Sequence, residues 1–159
     1  LTYWFEKLIN ARKRENQVTP EALTEWTEHY VRNKDLLTRN IQSITKNEAG
    51  WTLSVIRKDA TQHFLVVPHL EDINVLLAKM QPDLNACLVV LNTRKNLDVV
   101  IQAWPELIKY PRLSIIFANP ESSTDKRWII FPHTHEKITE RKALKTGLES
   151  LFLTVEAAG

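Results

Sequence analysis

The chain has 159 residues, 43% hydrophobic and 25% charged, with 21 basic against 19 acidic side chains. That balance describes a globular chain able to bury a core, and it excludes both a disordered polyelectrolyte and a chain that is basic throughout. Its three glycines stand too far apart for G-x-G-x-x-G, a Walker A loop or G-x-S-x-G, and its single cysteine, Cys87, excludes an internal disulfide and a thiolate zinc site.

In chain order, Leu1, Trp4, Phe5, Leu8 and Ile9 make one apolar stripe and predict a helix over 1–16. Arg12, Lys13 and Arg14 follow without apolar partners. Thr19-Pro20 is a helix start, since Thr caps and Pro at the first helical position loses no needed N–H. Leu23, Trp26 and Tyr30 share the next face, and Leu37, Ile41 and Ile44 keep a helical spacing, in the same helix or in a second one capped by Asn33 or Asp35. Gly50 is read as the end of this part, because glycine readily takes the left-handed conformation after a helix. Residues 1–46 are therefore expected as a helical N-terminal segment.

The period then becomes alternating. Trp51, Leu53 and Val55 predict a strand, Lys58-Asp59-Ala60-Thr61 a turn, and His63 to Val67 the returning strand stopped by Pro68. Asp72 is placed to cap a short helix carrying Ile73, Leu76, Leu77 and Met80. Residues 86–91 and 113–117 are continuous apolar runs, the pattern of strands buried on both faces. Between them Asn96 is read as the cap of a helix that Pro105 kinks. The polar loop 119–126 is too short for a helical crossover, so Trp128 to Phe131 is expected antiparallel to the preceding strand. A last helix begins near Thr139 and carries Leu144, Leu148, Leu151, Phe152 and Val155. The fold class expected is α/β: one layered domain over 1–159, with an α/β core at 51–156 and a mixed sheet of about five strands covered by helices.

Three constellations offer chemistry. Phe64 to His69 and Trp128 to His133 are both apolar strands ended by Pro-His and followed by acids: Glu71 and Asp72 in one, Glu136 in the other. In extended chain His133 and His135 point the same way, so with His69 they form a candidate divalent-metal set, the acids supplying a fourth ligand or a base. The plainer reading is that each Pro stops a strand and each His sits half solvated at the sheet edge. Second, Thr93, Arg94, Lys95 and Asn96 lie between a buried strand and a helix start, where open α/β sheets bind anions; Asn119 to Asp125 is placed to line the same crevice. Against this, such loops are polar simply because they face water. Third, residues 112–147 hold seven basic groups, Lys126 and Arg127 among them, against four acidic ones. Nucleic-acid contact would need these on one face beside exposed aromatics, whereas all five tryptophans fall on apolar faces and read as core.

The order of helix, hairpin and α/β units over 20–132 resembles the restriction-endonuclease-like fold. That resemblance implies an acid on one hairpin strand and an acid-x-Lys on the next. Here Gln62 to His69 contains neither acid nor Lys, Asp59 lies in the turn, and Glu71-Asp72 falls after Pro68, so the family's magnesium site would be missing.

The function expected is a non-catalytic binding or regulatory module, since no nucleophile is paired with a base in the sequence. The alternative is a phosphoester hydrolase or degenerate nuclease-like domain using His69, Glu71, Asp72, His133, His135 and Glu136. No cofactor is expected beyond that divalent metal. Partners expected are a protein or a second copy, met through Trp4, Phe5, Trp26 and Tyr30, or nucleic acid at the basic region. With no apolar run near the ~18–20 residues of a membrane span and no signal-peptide pattern, the expectation is a soluble cytoplasmic chain.

Overall fold

The sheet starts earlier than the helical spacing of the sequence implies. The computed structural model describes residues 2–15 and 17–158, and within the first helix it describes side chains as far as Leu8. Leu1 and Gly159, with the side chains of Ile9, Arg12, Lys13 and Arg14, lie outside the described residues. After α1 (Thr2–Glu15) and α2 (Pro20–Asp35), the chain enters a strand, β1 (Ile41–Glu48), where a helix was expected. A register shift between Ile41 and Ser43 explains the misreading. The extra residue of a bulge lets Ile41 and Ile44, three apart, both turn toward the core, which imitates a helical period. Leu37, the first residue of that supposed face, is 98% exposed. Gly50 ends no helix. With Ala49 it forms a two-residue hairpin turn, Glu48 standing opposite Trp51, and both turn residues have positive φ, 54° at Ala49 and 80° at Gly50.

β2 (Trp51–Arg57) and β3 (Thr61–Val66) form the expected hairpin. A short helix, α3 (Asn74–Leu77), follows, with Asp72 Oδ1 accepting from Asn74 N at 2.8 Å. β4 (Ala86–Leu91) lies parallel to β3, and β5 (Leu113–Ala118) parallel to β4. Between them α4 (Arg94–Gln102) is capped by Thr93, not Asn96, and Pro105 sits in the first turn of a separate α5 (Trp104–Leu107). β6 (Arg127–Ile130) returns antiparallel to β5 as expected. α6 (Pro132–Ile138) and α7 (Arg141–Leu153) complete the order. The sheet is thus open and mixed, with strand order β1-β2-β3-β4-β5-β6: six strands, the sixth being the misread β1.

Its two faces are covered unequally. One carries the larger core, with Leu88, Val90, Leu97, Trp104, Ile115, Phe117, Trp128 and Phe152. The other carries Leu53, Val55, Phe64, Val66, Cys87, Val89 and Ile116, closed by Leu23 and Val31 of α2. α2 packs on β2 and β3 of this face. No helix among the described residues is long and apolar enough to cross a membrane.

Candidate binding groove

Strand direction decides the fate of the histidine set. β3, β4 and β5 point one way and β6 the other. His69, Glu71 and Asp72 therefore lie past one edge of the sheet, and His133, His135 and Glu136 past the opposite edge. The latter three are also helical, not extended, because Pro132 opens α6. Two positions along a helix turn about 200°, so His133 and His135 face apart. His133 Nδ1 donates to Ile108 O at 2.8 Å, and His135 folds back onto the Phe131 backbone. Glu136 accepts from the Trp104 indole N–H at 2.9 Å and from Arg141 at 3.1 Å, contacts that hold its carboxyl below the usual range. Among the described residues no three metal-ligating side chains come together.

The crevice past β4 and β5 does exist, as a cavity of about 490 Å³ bordered by His69, Thr93, Arg94, Asn119 and Glu121. Its candidate anion ligands are engaged elsewhere. Thr93 Oγ1 accepts from Asn96 N at 3.1 Å. Asn96 is fully buried, its amide donating to Pro68 O and Leu91 O and accepting from Leu70 N, each at 2.8 Å. Arg94 pairs with Glu149 at 3.4 Å and lies over the Phe152 ring, and Lys95 reaches Glu71 at 3.9 Å. Residues 155–158 pack across the same edge: Asn92 and Asn119 donate to Glu156 O, and Ala158 N donates to Asn92 O at 2.9 Å.

A different site forms on the thinly covered face. α2 makes one wall, with Trp26, His29, Tyr30 and Lys34. The alternation of β6 turns Arg127, Ile129 and Phe131 to the same side, and Gln62, Cys87 and Ser114 floor a cavity of about 300 Å³. A second hollow of about 490 Å³, between Trp26, Lys126 and Arg127, shares Tyr30 and Lys34 with the first. Trp26 and Tyr30 stack one helical turn apart, centroids 5.5 Å from each other and planes 3° apart. The Arg127 guanidinium lies 4.5 Å and the Lys34 ammonium 5.4 Å from the Tyr30 centroid. Arg57 at the inner end is held by Gln62 Oε1 at 3.0 Å.

The groove's one lining carboxylate is already occupied. Asp35 accepts from Thr38 Oγ1 at 3.1 Å, Asn40 N at 2.8 Å and Ile41 N at 3.0 Å, which ties the end of α2 to the start of β1. Desolvation pushes its pKa up, but these donors and the nearby Arg57 outweigh it and hold the carboxyl low, so it is ionised and tied to the chain by three hydrogen bonds. Phe131 is 48% exposed at the groove's margin.

Trp51, Trp104 and Trp128 are core, as the sequence implies, but Trp26 is half-buried and Trp4 exposed. From the sequence, Lys126 and Arg127 stand out as basic and Trp26 and Tyr30 as a partner surface, whereas Lys34, Arg57 and the floor residues do not. Two signals were present: Trp26, Tyr30 and Lys34 at four-residue spacing, and the alternation Arg127, Ile129, Phe131. The sequence also conceals one nucleophile–base contact. Ser54 Oγ lies 2.8 Å from His63 Nδ1 across the β2–β3 pair, with His63 stacked on Trp51. Ser54 is buried, and neither residue borders the cavities above, so the contact reads as a cross-strand hydrogen bond.

Comparison with protein-family models, with curated proteins and with solved structures finds no match for this chain.

Proposed function

We propose that the chain is a non-catalytic binding module whose ligand is anionic and lies in the groove between α2 and β6. The observation that carries this reading is the cation-flanked aromatic pair: Lys34 and Arg127 against Tyr30, which stacks on Trp26, with Arg57 at the inner end near Asp35. The chain's net charge is only +2, so this cluster is a local field, the kind that concentrates a counter-ion on one surface.

The phosphoester-hydrolase alternative has less support. Its two halves stand at opposite edges of the sheet. On the hairpin strands, the positions facing α2 include Leu53, Val55, Phe64 and Val66, which offer a divalent ion no ligand. A heparin-column elution series tests the two readings together. The binding module is expected to be retained, and Lys34→Gln with Arg127→Gln to elute at lower salt, while His133→Ala with His135→Ala elutes unchanged. Divalent-metal-dependent phosphodiester cleavage lost in that His133/His135 variant would overturn the reading.

A second partner is supported by a separate observation. Tyr3, Trp4, Phe5 and Leu8 on α1 are 64–68% exposed, more contiguous apolar surface than a solvated helix needs. Self-association through α1 would cover it. Light scattering over a concentration series tests this: a dimer lost in Trp4→Glu supports it, and a monomer throughout refutes it.

A further inference from the structure

Resting on the anionic-ligand reading, we propose that the groove holds a single-stranded nucleic acid, its phosphates along Arg127 and Lys34 and a base stacked on the Trp26–Tyr30 pair. Phosphate recognition alone would need cations only. Here the cations flank two parallel half-buried rings, and a π-face beside a positive track is what unpaired bases use. The guanidinium of Arg127 and the ring of Tyr30 already stack with Trp26 in the way a base would stack with them.

The shape favours a strand over a duplex. The site is recessed between a helix and the sheet, whereas a duplex is read by an element that projects into its groove. It also favours a strand over a single phosphate. Trp26 to Lys34 spans about 12 Å of helix axis, and the two hollows lie next to each other, with Tyr30 and Lys34 lining both.

Fluorescence anisotropy of a labelled oligothymidylate, against the matching duplex and with heparin as competitor, tests the proposal on the full chain. The single strand is expected to bind more tightly than the duplex, with affinity falling as salt rises. Arg127→Gln, at an exposed position, should lower the salt slope by about one. Trp26→Leu should weaken binding about tenfold, and Trp26→Phe, which keeps a ring, should restore most of the loss. Preference for the duplex, or equal binding by Trp26→Leu and wild type, overturns the strand. In that case heparin binding that still depends on Lys34 and Arg127 leaves the anionic groove standing. No binding of any polyanion removes both.

Discussion

The indole N–H of Trp128 donates to Oδ1 of Asn92 at 2.7 Å, joining β6 to the loop after β4. The same Asn92 amide donates to Phe152 O at 3.2 Å, Val155 O at 3.0 Å and Glu156 O at 3.3 Å, so one buried side chain fastens the end of α7 to the sheet. Trp128 is held from its other side by Phe117, stacked at 4.2 Å. Asn92→Ala would leave a buried indole donor and the carbonyls of Phe152 and Val155 without this partner, while Glu156 O keeps Asn119. Each orphaned buried group costs about 1–3 kcal/mol, so a loss of about 3 kcal/mol is expected, read as a lower urea midpoint at unchanged slope. Asn92→Asp keeps the acceptor for Trp128 but turns a carboxylate oxygen toward three carbonyls. Its folded pKa is expected above its unfolded one, so this variant should approach wild type at acid pH and fall behind as pH rises.

The fold was legible where one period held. Trp51 to Val55, His63 to Val67, 86–91 and Leu113 to Phe117 read as strands because alternation or a continuous apolar run holds through each, and β2, β3, β4 and β5 lie there. Two local devices defeated the reading elsewhere. The bulge at Ile41/Ser43 gives β1 a helix-like spacing, and Pro132 opens a helix as well as ending a strand, which turns His133 from His135. The groove was hidden for another reason. Tyr30 and Arg127 are 4.5 Å apart in space but belong to distant parts of the chain, and no local pattern says that α2 lies beside β6.

His63 makes stability depend on pH above the carboxylate range. Burial against Trp51 and Ser54 holds its pKa below the ordinary value of 6.5. The unfolded chain therefore takes up this proton first, and the linkage slope has stability falling as pH drops through 6.5 toward the folded pKa. The depressed carboxyls of Glu28, Asp35, Asp59 and Glu136 act lower, below ordinary values of 3.8–4.5. Chemical denaturation of wild type and His63→Gln at a series of pH values separates the two windows. The variant should lose the upper part of the acid destabilisation and keep the lower; an unchanged profile above the carboxylate range would show that His63 is not its source.

Cys87 borders the groove's floor yet is 1% exposed, and burial pushes its thiol pKa up to about 12. The thiolate is the reactive form, so an aromatic disulfide reagent at mildly alkaline pH should modify the folded protein no faster than the chain opens. Denaturant should bring the rate to that of a free thiol. Rapid modification under native conditions would mean that the groove opens to its floor on its own.

The turn between β1 and β2 carries a pair of substitutions with opposite signs. Both central residues have positive φ, 54° at Ala49 and 80° at Gly50, and a two-residue hairpin turn of that kind favours Asn followed by Gly. Gly50 is suited to its place; Ala49 is not, because its Cβ crowds the carbonyl in the left-handed region, at about 1–2 kcal/mol. Asn tolerates that conformation better than Ala does, so Ala49→Asn is expected to raise stability by about 0.5–1 kcal/mol. Gly50→Ala should lower it by about 1–2 kcal/mol, with the added methyl also displacing the Lys79 ammonium, which lies against the site it would fill. Thermal melts of the two variants read both signs. If Ala49→Asn melted below wild type, the left-handed assignment at that residue would be wrong. The hairpin that replaced the expected helix end would then need a different turn.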